Sequence, residues 1–227
     1  MASIKEANYT NKILIVPILS LSKTHNKVEL KSNLSKYYNF EKLMVNNKIM
    51  KVEYDDKNID PKLINELNIR NELFYKDTQL KFDRNKKISI DLPYNINILN
   101  ISNKISEKFG NYCCIHIRRG DMLRLKPNLD KDTQSENIMR IIKKYKFDCI
   151  YIMTNESNLS IYDNIKSKYK VYFYTDFAKL IEEQRNDNYY LFCIENNIMK
   201  NATIRISTFK TTGDYYNNYL SNIEGYQ

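Results

Sequence analysis

Cys113-Cys114-Ile115-His116-Ile117-Arg118-Arg119-Gly120-Asp121 is the stretch that decides the fold. Its first five residues suit a short buried strand. The strand runs without a spacer into two guanidiniums, a glycine and a carboxylate. Arg presents a planar fork of donors that matches phosphate oxygens. Gly120 frees the backbone for a tight turn. Two arginines at such a strand end form a candidate diphosphate clamp, and the alternative is a strand end whose charges are simply solvated.

Working outward, Ile98, Ile101, Ile105 and Phe109 recur at helical spacing, and Gly110 follows as a stop. Thr133-x-x-Glu136 reads as a capping box, and Ile138, Met139, Ile141, Ile142 and Tyr145 give the helix behind it an apolar face. Strands are expected at 149–153, 171–174 and 203–206. Ser157 is expected to cap a helix bearing Leu159, Ile161, Tyr162 and Ile165, and 187–199 reads as helical. Upstream, 12–17 reads as a buried parallel strand closed by Pro17, and 88–92 alternates like a strand. Residues 18–79 are polar with short apolar islands and read as short helices and loops.

Strands alternating with helices imply βαβ units and a parallel sheet. Ligands then sit outside the carboxyl ends of the strands. Residues 118–121 and 207–209 both fall at such ends. The expected class is α/β, with a Rossmann-like parallel sheet in the C-terminal half. A boundary near 110 separates a partial N-terminal α/β region, 1–110, from a Rossmann-like domain, 111–227.

Composition sets wider bounds. With 42% hydrophobic residues a packed core is within reach. A net charge of +9 favours anionic partners, although the lysines are spread along the chain with no long basic block. Cys113, Cys114, Cys149 and Cys193 lack metal-ligand spacing; three fall in expected strands and Cys193 in a helix, so all read as free, buried, reduced thiols. No signal peptide is visible, and the apolar run 13–21 is too short to cross a membrane. Asn-x-Ser/Thr triplets, among them those at Asn8, Asn33, Asn158 and Asn201, read as chance matches in an Asn-rich chain. A cytoplasmic protein is expected.

His116-x-Arg118-Arg119-Gly120-Asp121 resembles the signature of fucosyltransferases that use GDP-fucose: the α1,2- and α1,6-fucosyltransferases and the protein O-fucosyltransferases. Ile204-Arg205-Ile206-Ser207-Thr208-Phe209 is similar to the Ser-Thr-Phe turn of the same families, and the likeness runs over about residues 80–209. The resemblance implies a GT-B-like architecture with a reduced N-terminal half. It implies inverting transfer of fucose from GDP-fucose to a glycan or protein hydroxyl, with no cofactor and no obligatory metal. Asp130-Lys131-Asp132 matches Asp-x-Asp literally, but at a helix start it reads as structural; Asp55-Asp56 is adjacent and in an irregular region.

By that resemblance Arg118 binds the β-phosphate and stabilises the charge that grows there as the diphosphate departs. Ser207, Thr208 and Phe209 would meet the same phosphate from a strand-to-helix turn, where they could equally cap the following helix. His116 would contact the nucleotide, or it is a satisfied core histidine. Arg119 is a second phosphate contact or a structural fork. Gly120 and Asp121 read as structural. Asp187 and Glu195 are the two carboxylates considered for the guanine edge. Thr154-Asn155-Glu156 and Thr175-Asp176 would end strands beside the cleft. These families also begin with a Gly-rich turn, whereas no Gly precedes Gly110 here. The first strand and its turn are therefore expected to be missing, and no general base is named beyond Glu156 and Asp121. Two rival readings remain: a non-catalytic or degenerate GDP-sugar binder, and a basic nucleic-acid-binding protein, although no nucleic-acid motif is visible.

Overall fold

The computed structural model describes residues 14–16, 18–21, 30–47, 52–54, 93–120, 122–182, 186–210 and 216–223. Two compact units divide the chain: Met1–Ile98 with Asn186–Asn188, and Leu99–Arg185 with Tyr189–Gln227.

In the first unit β1 (Leu14–Val16) pairs in parallel with β4 (Val52–Tyr54), which realises part of the strand expected at 12–17. The antiparallel pair β2 (Ile18–Leu21) and β3 (Leu30–Asn33) corrects the expectation of helices and loops in 18–79. Its register sets Leu21 opposite Leu30 and Ile18 opposite Asn33. Pairing of this kind is decided by the partner strand rather than by periodicity within either one. Helix Phe40–Asn47 starts behind Asn39, whose Oδ1 accepts the Lys42 N–H at 2.9 Å. Phe40 and Leu43 are buried. The strand expected at 88–92 lies outside the described residues.

The second unit is built on five parallel strands in the order β7-β6-β5-β8-β9. They are β5 (Tyr112–Ile117), β6 (Cys149–Thr154), β7 (Val171–Tyr172), β8 (Ile204–Ser207) and β9 (Asn218–Tyr219). The central strands are buried on both faces, which is why they read as continuous apolar runs. On one face Cys113, Ile115 and Ile117 meet Ile150, Ile152 and Ile206 beneath Ile138, Ile141 and Ile142 of helix Ser135–Ile142. Burying one such isoleucine removes enough apolar surface to contribute about 2–3 kcal/mol.

The opposite face is more polar. It carries Tyr112, Cys114, His116, Tyr151 and Ser207, and helix Asn188–Asn201 supplies its cover. The Tyr112 hydroxyl donates to the Ile198 carbonyl at 2.5 Å, and Tyr151 donates to Glu195 at 3.0 Å. Asn197 of that helix donates to the Ser102 hydroxyl of helix Ile96–Ser106 at 2.7 Å. The latter helix holds Ile98 and Ile105 in the interior as its spacing predicts, and Gly110 takes a φ of 66° just beyond it. All four cysteines are free and buried, as expected.

Several local expectations change. Thr133 does not open a capping box: its hydroxyl donates to the Leu129 carbonyl at 2.6 Å, and helix Ser135–Ile142 follows Gln134. Asn158, not Ser157, caps the 3-10 turn Leu159–Tyr162 by accepting the Ser160 N–H at 3.1 Å. The strand expected over 171–174 stops at Tyr172, and Thr175-Asp176 lies inside the 3-10 segment Tyr174–Leu180. There Asp176 accepts the Phe173 N–H at 2.8 Å. No helix follows residues 207–209 among the described residues; β9 comes next and lies parallel to β8.

Candidate functional site

The carboxyl ends of β5 and β8 lie side by side, with His116 in register with Ser207. One residue further on, Thr208 stitches the two tips together. Its N–H and its hydroxyl both donate to the His116 carbonyl, at 2.9 and 2.8 Å, and its Oγ1 accepts the Arg118 N–H at 2.8 Å. Thr208 is 1% exposed. Burial away from water strengthens this three-way junction and makes its loss expensive. The junction fixes the peptide from which the Arg118 side chain departs, and Arg118 itself is exposed.

Arg119 goes the other way. It is 6% exposed, and its Nε donates to Glu156 at 3.2 Å. One terminal nitrogen meets Asp130 Oδ1 and the other Thr133 Oγ1, each at 2.5 Å. Its own N–H donates to Asn155 Oδ1 at 3.0 Å. Two carboxylates and a hydroxyl thus occupy the planar fork, which is the geometry Arg offers and Lys does not. Of the two roles open to Arg119, the contacts are those of the structural fork. Glu156, considered as a base, is committed to this ion pair. Asp130, the first carboxylate of the Asp-x-Asp match, is committed to it as well.

Gly120 takes a φ of 22°, and a Cβ there would overlap the Asn155 carboxamide. The tight turn after β5 therefore demands glycine on two counts, backbone and space. Asn155 is a residue whose importance the sequence reading understated: it bonds Arg119 and covers Gly120 at the end of β6. Asp121 lies outside the described residues.

His116 sits on the same pleat as Arg118, half-buried, and its imidazole makes no hydrogen bond among the described residues. Burial, with the Arg118 charge adding to it, pushes its pKa down to about 4. At neutral pH the ring is uncharged and keeps both a donor and an acceptor for use.

Ser207 and Thr208 are brought to His116 and Arg118, but much of their hydrogen-bonding capacity is spent. The Ser207 hydroxyl bonds Tyr216, and its carbonyl accepts the Leu220 N–H at 2.9 Å. Phe209 is half-buried beside them. Among the described residues the next element is β9 rather than a helix, so the expected strand-to-helix anion turn is not seen among them.

Of the two guanine candidates, Glu195 is held away from these tips. Glu195 is 6% exposed and bonds Tyr151 in the middle of β6; burial pushes its carboxyl up to about 8. A neutral acid cannot accept a two-donor edge as a carboxylate does. Asp187 belongs to the first unit, where it accepts Lys36 Nζ at 2.6 Å and the Tyr37 hydroxyl at 2.9 Å.

Neither a family model nor a curated protein matches this sequence. Sixteen solved chains match in structure. Among them is the crystal structure of POFUT1 in complex with GDP-fucose, with a TM-score of 0.52 and 9% sequence identity over 91% of this chain and 84% of that one. The likeness at that identity is one of fold, and the fucosyltransferase-like α/β architecture expected from the sequence is the one the chain has. None of the helices among the described residues is long and apolar enough to cross a membrane.

Proposed function

We propose that this chain is a fucosyltransferase-like glycosyltransferase that takes GDP-fucose as donor and a glycan or protein hydroxyl as acceptor, with inversion and without an obligatory metal. The observation that carries the reading is the junction at Thr208, which fixes the backbone of an exposed Arg118 beside a neutral His116 at two adjacent strand ends. Ligands of open parallel sheets bind there. The shared fold with POFUT1 in its GDP-fucose complex supports the same choice of donor. In this reading Arg118 meets the β-phosphate, where charge grows as the glycosidic bond breaks. A prepositioned guanidinium stabilises that charge more than it stabilises the ground state. His116 offers an uncharged donor and acceptor to the nucleotide. Arg119, Thr208 and Gly120 hold the turn. Four buried thiols that stay reduced suit a cytoplasmic setting.

The test is thermal unfolding with GDP, GDP-fucose, GDP-mannose and UDP sugars, on wild type and Arg118→Ala. A ligand held at a hundred times its Kd stabilises the folded state by about 2.7 kcal/mol. For a chain of this size that corresponds to roughly 5–10 °C. A GDP-selective shift that Arg118→Ala abolishes is expected. A shift that survives the substitution overturns the site, and no shift with any nucleotide overturns the function. Binding without fucose transfer selects the degenerate binder.

A further inference from the structure

The parallel sheet gathers charge that looks scattered along the sequence. The turns that enter β5, β6 and β7 lie at the amino ends of adjacent strands. They carry Lys108, Lys143, Lys144, Lys146, Lys168 and Lys170, all exposed, against two carboxylates, Glu107 and Asp148. No ion pair to any of these six lysines is formed among the described residues. Lys143 and Lys144 follow the end of helix Ser135–Ile142, where the helix dipole favours cations. Lys168 stands likewise just past helix Asp163–Lys166, whereas Lys146 and Lys170 lie four residues beyond the helix ends, where that cause fades.

The three turns are also tied to one another. Asn111 accepts the Asp148 N–H at 2.7 Å, and its own N–H donates to the Asp148 carboxylate at 3.1 Å. Its carboxamide donates to the Lys146 carbonyl at 3.2 Å, and the Ile150 N–H donates to the Lys170 carbonyl at 2.8 Å. The lysines thus stand on one connected rim. At the opposite end of the same sheet the signs are mixed, with Asp130 and Glu156 paired to Arg119.

We propose that this amino-end rim is a docking surface for an anionic lipid bilayer. Every cation in the three turns is a lysine. An ammonium is a compact point charge suited to a diffuse negative surface, whereas arginine is the residue that grips individual phosphates bidentately. The aromatic rings between the lysines offer no stacking platform for bases. Phe147 and Tyr169 pack on each other at 5.6 Å, and Tyr172 packs on Phe109 at 5.0 Å. Half-buried tyrosines beside lysines suit a headgroup region. A bilayer held at the amino ends leaves the carboxyl ends, where the candidate site lies, turned to solution.

The test is co-sedimentation of the full chain with vesicles of phosphatidylcholine alone and of phosphatidylcholine with phosphatidylserine. Binding is expected only to the phosphatidylserine vesicles, with release at about 1 M salt, where the screening length falls to roughly 3 Å. The variant Lys143→Gln/Lys144→Gln/Lys146→Gln should weaken binding on the order of a hundredfold, at about fivefold per lysine. Arg124→Gln/Lys131→Gln, exposed positions between β5 and helix Ser135–Ile142, should leave it unchanged. Three results overturn the proposal: no binding to the anionic vesicles, equal loss in both variants, or tighter binding of a single-stranded RNA through the same lysines.

Discussion

Replacing Glu195 by Gln should remove a pH dependence that burial alone has created. Glu195 lies under the sheet with its carboxyl at about 8 in the folded protein, against 4.5 when exposed. Between those values the folded chain keeps a proton that the unfolded chain has released. Its pKa is raised, so it costs nothing well below 4.5, and stability falls as pH rises toward 8. The slope approaches 1.36 kcal/mol per pH unit, and by pH 7 the cumulative cost is roughly 3 kcal/mol. His116 acts with the opposite sign. Its folded pKa is about 4 against 6.5, so the unfolded chain holds the extra proton and stability falls as pH drops through that window. Between about 4.5 and 6.5 the two slopes cancel; above 6.5 Glu195 acts alone.

Glu195→Gln keeps an oxygen to accept from the Tyr151 hydroxyl and deletes the titration. Urea unfolding at pH 5.5, 7 and 8 therefore separates the two groups. The variant should gain on wild type by roughly 1–2 kcal/mol between pH 6.5 and 8, the gain slowing as pH nears the folded pKa. Below 6.5 it should fall away with acid, because His116 is no longer offset. Parallel stability profiles for the two proteins above pH 6.5 would refute the assignment of a neutral, buried Glu195.

Arg119→Lys keeps the charge but cannot reach Asp130, Thr133 and Glu156 together. It should cost roughly 2 kcal/mol in chemical denaturation; a loss within the error of the measurement would show that the fork anchors nothing. Gly120→Ala places a methyl group against Asn155 at a φ of 22°. A destabilisation of about 1–3 kcal/mol is expected, read as a fall in Tm of roughly 3–10 °C; an unchanged Tm would mean that the turn relaxes freely.

The parallel sheet was legible because its central strands are short apolar runs set between helices with clear 3.6-residue faces. Residues 113–117 could hardly be anything else once Gly110 stopped the preceding helix and two arginines followed. The antiparallel pair of β2 and β3 was not legible, since Leu30–Asn33 reads Leu-Lys-Ser-Asn and gains its strand character from the partner in register. Thr133 misled for a related reason. Its spacing to Glu136 fits a capping box, yet a buried guanidinium fourteen residues away competes for the same hydroxyl and wins. Local hydrogen-bonding rules predict local partners, and long-range partners stay invisible to them.

The same limit explains the candidate site. Arg118 and Arg119 are adjacent and chemically identical, so composition cannot tell which one faces a ligand. Strand pleating can: neighbours on a strand point to opposite faces, and here the alternation continues one step past β5. Arg118 keeps the side of His116 and stays exposed, while Arg119 turns inward to Thr133, Asp130 and Glu156. The pair then divides the work. A buried guanidinium held by two carboxylates has little positive potential left for a phosphate, whereas its neighbour is exposed on a backbone that Thr208 holds in place. Under the proposed function the double arginine would be one ligand-binding group and its anchor. Loss of the anchor should therefore act on a nucleotide through the position of Arg118 rather than as a second, additive contact.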